Sequence, residues 1–478
     1  MTSVLHKTNL ESSSSSCEVN VPARMMGSNK SVLGLVVVVV TLVVTLVVTL
    51  VVVEPETGHF TTTVTNNSRH RRWSEHPHAR LTTPELIRGR GYPAEVHQVV
   101  TRDGYVLELH RIPHGRAAPS VPPNTHADGE WWAPHTVYNV SSNTPLGRLS
   151  TGERRVVFLL HGILLSSADY VMNDPDQALG FILADAGYDV WLGNNRGNFY
   201  SRRHVRLSPE QLEFWDYSWN EMALYDMPAM LSYILKVSGV SQLSFVGHSM
   251  GNALLFAMFN YHPQLISRVK VVAAIAPATY IHHKHGPISL LAPFINDIES
   301  ELRKQGIVEM FRLTADRAEL STVLCGPKSI TNFICLFLHF IIAGENSSFL
   351  DREYLPVIFA HTPAGTGLRV FVHLLQIYTA RRFQAFDYGE AENLVQYGTT
   401  SPPAFPLSRV NVPVGLIYSD NDWIVDKKDV QQTASELPWV ALYYRVPLRE
   451  FNHLDFMWAE NARDLVYRPL VKFLLEFQ

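Results

Sequence analysis

Short apolar runs alternate with longer amphipathic stretches along most of the chain after residue 155. The runs are rich in β-branched residues and are bounded by turn residues. They cover residues 156–160, 190–192, 243–246, 271–276 and 414–418. Between them, residues 174–186 and 220–238 repeat their apolar positions with a helical period. This alternation predicts an α/β fold with a mostly parallel central sheet that helices cover on both faces.

Two further apolar segments precede the alternation, at residues 96–100 and 105–111. Between them stands Thr101-Arg102-Asp103-Gly104, and Asp-Gly between extended segments predicts a β-hairpin. Residues 116–152 are rich in Pro, Asn, Ser and Gly, which predicts a long surface loop. We therefore assign residues 81–281 to the first part of the core, with this loop inserted.

Residues 282–400 interrupt the alternation and are rich in aromatic residues. We predict that they form a mainly helical cap or lid. The core resumes over residues 401–478. Within the cap, residues 333–342 (FICLFLHFII) are too few to span a bilayer. Core, lid face and interfacial surface all remain open for this stretch.

Residues 33–53 form an apolar run without charge or proline. At about 1.5 Å per residue, a helix of this length crosses a hydrocarbon core of about 30 Å. Glu54-Pro55-Glu56 follows in place of a small-residue cleavage site, which favours an uncleaved anchor over a cleaved signal. We therefore predict three N-terminal segments: a disordered cytosolic tail (1–30), a transmembrane signal anchor (31–53) and a stalk (54–80).

Basic residues flank the apolar run asymmetrically. Arg24 and Lys30 precede it, and the first basic residue after it is Arg69. The positive-inside rule then predicts a cytosolic N-terminus and a lumenal or extracellular catalytic body; a secreted or lysosomal protein after signal cleavage is the alternative. Three glycosylation sequons agree with this topology. They begin at Asn66, Asn139 and Asn346.

Charge and cysteine content exclude some classes of protein. A net charge of −4 over 478 residues argues against a nucleic-acid partner. Three cysteines are too few for a disulfide scaffold. Cys325 and Cys335 are close enough in sequence to pair, and an oxidising compartment would favour a bridge; three free thiols remain the alternative. The sequence predicts no oligomeric state.

The candidate nucleophile is Ser249 in Gly247-His248-Ser249-Met250-Gly251. An apolar strand over 243–246 precedes it and a predicted helix over 252–260 follows, which is the strand–turn–helix context of a G-x-S-x-G elbow. The flanking glycines let the helix and strand approach closely. The serine oxygen is then presented at a helix N-terminus, where backbone N–H groups can stabilise an anion.

A serine hydroxyl becomes a good nucleophile when a base takes its proton. In this fold the partners follow in the order serine, acid, histidine. His453 near the C-terminus is the candidate base. Asp420 and Asp422 both follow the strand at 414–418, and depth in the loop slightly favours Asp422.

Two backbone N–H groups are candidates for an oxyanion hole. One belongs to Met250, directly after the nucleophile, and the other to Ile163, after the His161-Gly162 that ends the run 156–160. A serine mechanism requires no metal or cofactor, and we predict none. The run His282-His283-Lys284-His285 could suggest a metal site, and a solvated loop is the preferred interpretation.

Together these residues resemble the acid lipases, the family of gastric and lysosomal acid lipases within the α/β-hydrolase superfamily. The resemblance runs from about Thr83 to Phe477, and its most specific stretch is 184–198 (ADAGYDVWLGNNRGN). Further matching segments are 91–93, 101–105, 161–164, 247–251, 361–366, 383–389 and 452–456.

The resemblance implies an α/β-hydrolase fold whose lid, within 282–400, covers an apolar acyl site. It implies that Asp422 rather than Asp420 is the acid. The remaining implied site residues are Ser249 and His453 in the triad, Ile163 and Met250 as oxyanion donors, and a Cys325–Cys335 bridge. Met250 replaces the glutamine usual in the family, and the loop at 116–152 is longer than expected.

The predicted function is hydrolysis of carboxylic esters of neutral lipids, triglyceride or cholesteryl ester, through an acyl-enzyme. The predicted partners are a lipid ester substrate, a lipid interface, and a membrane bound through residues 33–53. One alternative is a carboxylesterase or thioesterase of small esters. Another, from a different class, is a catalytically silent, membrane-anchored module for lipid binding or adhesion.

Overall fold

The computed structural model describes residues 76–116 and 155–477, with gaps at 284–285, 317–319, 321–323, 327–328, 330–334, 336–342 and 345–348. The predicted tail, the anchor, almost all of the loop at 116–152, and the sequons at Asn66, Asn139 and Asn346 lie outside the described residues. Within them, no helix combines the length and apolar character needed to cross a bilayer.

Nine strands of the described chain form one sheet, and two more form a separate ribbon. The strands are β1 Glu95–Val100, β2 Tyr105–Ile112, β3 Arg155–Leu160, β4 Tyr188–Gly193, β5 Arg203–His204, β6 Leu243–His248, β7 Val269–Ile275, β8 Glu309–Met310, β9 Thr366–Gly367, β10 Val414–Tyr418 and β11 Val440–Arg445.

The order of the large sheet is β1-β2-β4-β3-β6-β7-β10-β11, with β5 paired to β2. Neighbours from β4 to β11 are parallel, whereas β1 and β2 form an antiparallel hairpin at one edge. The mostly parallel sheet and the hairpin predicted from the sequence are confirmed. The edge strand β11 was not predicted, because its residues alternate between partly buried and exposed.

Helices precede, separate and follow these strands. They are α1 Thr83–Gly89, α2 Leu179–Asp185, α3 Met227–Ser238, α4 Met250–Tyr261, α5 Ile295–Lys304, α6 Leu355–His361, α7 Leu368–Ala380, α8 Glu390–Tyr397, α9 Lys427–Glu436, α10 Asp455–Trp458 and α11 Arg468–Leu475. Short 3-10 turns occur at Pro77–Arg80, Ser167–Tyr170, Leu212–Trp215, Pro263–Arg268, Pro287–Phe294 and Leu407–Arg409.

Successive residues of β3 point to opposite faces of the sheet, and each face has its own apolar core. Phe158 packs in a cluster with α3 and α4, while Val157 packs in a cluster with α2 and α11. Both faces of the parallel strands are therefore shielded from water, as the continuous apolar runs require.

Two predicted helices differ in detail from the structure. The helix predicted at 174–186 begins only at Leu179, because Asp174 is drawn into a turn by contacts with Arg90 and Tyr354. The stretch predicted at 220–238 is helical throughout. It enters α3 through Trp219–Glu221 and a π-helical turn at Met222–Asp226, which the periodicity did not indicate.

The block 282–400 holds the described helices α5 to α8, the β8–β9 ribbon and a small apolar core of its own. It also contains a disulfide between Cys325 and Cys335. The ribbon was not predicted. Assignment of the block as a cap stays a prediction.

The predicted end of the stalk is wrong. Pro77–Arg80 forms a 3-10 turn in which Ala79 is buried, and the carbonyl of His78 accepts a hydrogen bond from Nε2 of His361 at 3.3 Å. The folded body therefore begins before residue 81. Proline at the first position of the turn pre-sets the backbone angle there, which composition alone did not reveal.

Candidate active site

Ser249 occupies the sharp turn between β6, which ends at His248, and α4, which begins at Met250. Its φ of 53° and ψ of −120° are costly for a residue with a side chain. Two backbone hydrogen bonds hold this conformation: the N–H of Ser249 donates to the Ile275 carbonyl at 3.0 Å, and its own carbonyl accepts from Ala278 at 3.3 Å.

The glycines on either side of the turn are required by close approach. A methyl group on Gly251 would lie against the carbonyl oxygen of Leu160, and one on Gly247 would collide with the side chain of Asn252. The structure therefore shows the close approach that was predicted to require these glycines. Without them, α4 could not begin so near to β3.

The loop after β3 lies against the nucleophile. A methyl group built on Gly162 would be 3.0 Å from Cβ of Ser249. The next peptide N–H belongs to Ile163, the predicted oxyanion donor, and Leu164 adopts a left-handed φ of 64°. The structure thus brings the Ile163 segment and Ser249 together.

His161 holds the peptide group that carries this N–H. Its Nδ1–H donates to the carbonyl of Gly162 at 2.7 Å, and that carbonyl shares one peptide plane with the N–H of Ile163. Nε2 of His161 accepts the backbone N–H of Asn195 at 3.1 Å. Burial lowers the pKa of His161 to about 4, so the ring is neutral at neutral pH.

Met250 supplies the first N–H of α4. The first amides of a helix have no carbonyl acceptor within it, so this N–H can serve an anion. The methionine side chain is buried in the apolar cluster around β3 and α4. An apolar side chain can be buried there without hydrogen-bond partners, whereas the amide of a glutamine would need them.

The structure pairs the predicted base with Asp422. Nδ1–H of His453 donates to Oδ2 of Asp422 at 2.6 Å, and both side chains are buried. Oδ1 of Asp422 accepts the backbone N–H groups of Ile424 and Val425, each at 2.8 Å. Asp420 forms an ion pair with Arg445 instead.

His453 also lies beside the residue that precedes the nucleophile. Nε2–H of His248 donates to the carbonyl of His453 at 3.1 Å, and the two rings are 4.8 Å apart between centroids. Burial, together with the neighbouring His453, lowers the pKa of His248 far below its usual value. In the described chain, Oγ of Ser249 forms no hydrogen bond with His453; such bonds often tighten only when substrate binds.

Two features of the site and one buried ion-pair cluster, at the residue after Asn195, were not predicted. One is His248; its place before the serine was the only signal for it. Another is the Ala343 carbonyl in the block 282–400, which accepts N–H groups of both Trp423 and His453 at 3.3 Å. The third is Arg196, fully buried between two carboxylates and 3.9 Å from the ring of Tyr105. Its carboxylate partners are Asp103 and Asp226.

One cluster outside this site has metal-ligand chemistry. His282 and His283 lie with Asp429 so that the possible ligand atoms are within 4.8 Å of one another. The prediction of a solvated loop is wrong for His282, whose side chain is only 11% exposed. The backbone N–H of His282 donates to Asp429 of α9, which holds this part of the loop against the helix.

Comparisons with known proteins identify the family. A family model described as a partial alpha/beta-hydrolase lipase region matches residues 83–174, and one for the alpha/beta hydrolase fold matches residues 155–299. Together they span the hairpin, the oxyanion segment and the nucleophile elbow.

Similar proteins match over most of their length. Gastric triacylglycerol lipase of Bos taurus is 34% identical over 410 residues, covering 84% of this chain and 93% of the relative. The human enzyme of that name is 34% identical over 401 residues, with 84% and 92% covered. Lipase 3 of Drosophila melanogaster is 36% identical over 395 residues, with 82% and 93% covered. The chain therefore belongs to the acid lipase family of the α/β-hydrolase superfamily and is a serine ester hydrolase.

Proposed function

We propose that the protein is a lipase that hydrolyses carboxylic esters of neutral lipids, triglycerides or cholesteryl esters, with Ser249 as the nucleophile. The observation that carries this proposal is the buried Asp422–His453 hydrogen bond beside the strained serine turn. The relatives named as triacylglycerol lipases support the choice of substrate class.

In the acylation step, Nε2 of His453 takes the proton of Ser249 as Oγ bonds to the ester carbonyl carbon. Asp422 keeps the imidazole proton on Nδ1, so that Nε2 is free to accept, and then stabilises the imidazolium. The carbonyl oxygen becomes an oxyanion and receives the N–H groups of Ile163 and Met250. The hydrogen bond from His161 to the Gly162 carbonyl fixes the orientation of the peptide group that carries the Ile163 N–H.

Collapse of this intermediate breaks the bond to the alcohol. The imidazolium of His453 gives its proton to the leaving alkoxide, which leaves an acyl group on Ser249. Water then repeats the sequence: His453 takes a water proton, hydroxide bonds to the acyl carbon, and Oγ departs with the proton. The products are a fatty acid and an alcohol.

We propose further that the block 282–400 is the cap over the acyl site. The Ala343 carbonyl supports this role, because it contacts the segments that carry the acid and the base. Apolar acyl chains bind where apolar side chains exclude water. A cap over the serine would provide such a surface.

The N-terminal region completes the proposal. Residues 31–53 would span the membrane once, with the catalytic body on the lumenal or extracellular side. The uncharged run and the flanking basic residues support this topology. Cleavage of the run as a signal, followed by secretion or lysosomal delivery, is the competing outcome.

Hydrolysis of emulsified triglycerides and cholesteryl esters, over a series of acyl lengths, tests the proposed activity. Wild-type protein should release fatty acid and react with a serine-directed fluorophosphonate, whereas Ser249→Ala should do neither. Loss of activity without loss of folding is expected for His453→Ala. Hydrolysis confined to dissolved short esters would favour the carboxylesterase alternative, and a folded wild type that resists the fluorophosphonate would refute the mechanism.

A further inference from the structure

Two histidines at the start of the block 282–400 meet one aspartate of α9, and none of the three is a residue of the proposed serine site. Nδ1 of His283 is 2.7 Å, and Nδ1 of His282 is 3.5 Å, from the same oxygen, Oδ1 of Asp429. The two imidazole rings lie 4.1 Å apart between centroids. Three side chains of metal-binding chemistry thus point their ligand atoms at one small volume.

The ring of His282 is incompletely paired. Its Nδ1 is buried and has no hydrogen-bond partner in the part of the chain that the structure describes. Leaving a buried polar nitrogen unpaired costs free energy that a ligand can recover. This nitrogen is the second observation, besides the clustering, that points to a ligand here.

Asp429 is held in position by the backbone. Its carboxylate accepts N–H groups from His282 at 3.1 Å, His283 at 3.3 Å and Asp426 at 3.2 Å. The carboxylate is fully buried. A negative oxygen fixed between two imidazoles is prepared for a cation without further ordering of the chain.

We propose that His282, His283 and Asp429 bind a divalent transition metal ion, for which Zn²⁺ is the best match. Zinc is held by imidazole nitrogens at about 2.0–2.1 Å and carboxylate oxygens at about 2.0–2.2 Å, which sets ligand atoms about 3.3 Å apart in a tetrahedron. The 3.5 Å from Nδ1 of His282 to Oδ1 of Asp429 is already near this spacing. The ring of His283 must move away from Asp429 by about half an ångström and give up its hydrogen bond. The three ligand atoms, which now lie within 4.8 Å of one another, must close to about 3.3 Å around the ion, and water completes the coordination.

Imidazole ligands also define which ions are excluded. Ca²⁺ and Mg²⁺ prefer oxygen ligands throughout, so a site with two nitrogens favours zinc and its transition-metal neighbours. The metal would join the segment that leaves β7 to helix α9, which follows the loop of Asp422. None of its three ligands takes part in the proposed serine mechanism.

One nearby charge opposes the cation. His282 lines a small cavity with Arg381, whose guanidinium disfavours positive charge on the ring. Three protein ligands and this repulsion lead us to expect an affinity on the order of micromolar, weaker than that of four-ligand structural sites. Replacing Arg381 by asparagine, which tolerates the left-handed φ of 52° there, should tighten binding.

The test uses the full chain, purified without a histidine tag and stripped with a chelator. Zn²⁺ is titrated against a chromophoric competitor, and Co²⁺ is added separately to record visible absorption. One saturable zinc site and a cobalt band of four- or five-coordinate intensity are expected. His283→Gln and His282→Gln should each weaken zinc binding by at least about tenfold and abolish the cobalt band.

Two matched variants distinguish this site from adventitious binding. His114→Gln makes the same exchange outside the cluster and should change nothing, while Arg381→Asn should increase the zinc affinity. Asp429 is left intact, because its carboxylate holds three backbone N–H groups. The proposal is overturned if the wild type has no saturable zinc site, or if both histidine variants bind zinc and cobalt as the wild type does.

Discussion

At the scale of single residues, the two aspartates after β10 offer a clean comparison. They stand two positions apart, yet one accepts the Nδ1–H of His453 and the other pairs with Arg445. The residues alone left Asp420 and Asp422 open; the family resemblance favoured Asp422, and the observed hydrogen bond agrees with it. Both residues share one short loop, so sequence position hardly separates them, whereas their three-dimensional contacts differ.

Asp422→Asn should lower kcat by about 10³- to 10⁴-fold. Oδ1 must still accept two backbone N–H groups, so the new amide NH₂ faces Nδ1 of His453. The imidazole then carries its proton on Nε2 and cannot take one from Ser249. Steady-state kinetics on a triglyceride emulsion measure the loss.

The matched exchange Asp420→Asn should leave kcat within a few-fold of the wild type, since Asp420 contacts Arg445 rather than the base. Equal losses in the two variants would mean that the acid has been assigned to the wrong residue. Thermal unfolding of both proteins checks that neither effect reflects lost structure.

At the scale of elements, prediction succeeded where a segment is buried on both faces. β10 was predicted with its observed ends, because its apolar run stops at a polar turn on the carboxyl side. β11 was not predicted, because an edge strand whose residues alternate in exposure has no continuous apolar run. The start of α2 was misplaced because the turn at Asp174 depends on Arg90 and Tyr354, which are distant in sequence.

The contact between α4 and β3 yields a second prediction. Gly251→Ala should destabilise the protein by about 1–3 kcal/mol, as overpacking does in tight interiors, because its methyl group meets the Leu160 carbonyl. Urea unfolding of the full chain gives the change in free energy.

Gly89 in α1 is the control for this exchange. A methyl group there meets no atom within 4 Å, so Gly89→Ala should be neutral or slightly stabilising. If Gly251→Ala were as well tolerated as Gly89→Ala, close packing would not be what requires glycine at the turn.

At the scale of the whole molecule, the sequence motifs pointed to Ser249 and His453 as the proposed nucleophile and base but gave no sign of the contacts around them. Ser249 and His453 stand in short, recognisable motifs. The hydrogen bonds of His161 and His248, and the Ala343 contact, join segments that are distant in sequence. Periodicity and spacing carry no information on such pairs, so only the folded chain reveals them.

Buried neutral histidines should make the folded protein sensitive to acid. Nε2–H of His373 donates to the Gln384 carbonyl and its Nδ1 accepts the Trp219 N–H, and burial lowers its pKa to about 4. The unfolded chain binds this proton near pH 6.5. The stability that His373 contributes is therefore complete above pH 6.5 and is lost as pH falls towards 4, by at most about 3 kcal/mol.

Comparison with His373→Gln separates the contribution of His373 from those of other buried groups that also make stability depend on pH. One such group is Asp169, whose pKa burial raises to about 6. Urea unfolding between pH 7.5 and pH 4 should show a shallower loss of stability in the variant than in the wild type. Parallel pH curves for the two proteins would contradict the assignment.

The proposed membrane anchor leads to a further whole-chain prediction. Full-length protein expressed in animal cells should remain in the pellet after alkaline carbonate extraction, because about 20 apolar residues span a bilayer stably. A chain lacking residues 1–53, given a cleavable signal, should appear in the medium. Release of the full-length product in a shortened form would favour signal cleavage instead.

The hydrogen bond from His248 to the His453 carbonyl joins positions 205 residues apart in sequence. His248 is covalently joined to Ser249, so this hydrogen bond ties the segments of the proposed nucleophile and base directly to each other. A surface connection, such as the one between β2 and β3, can therefore vary in length and alter substrate access without acting on the spacing of this pair.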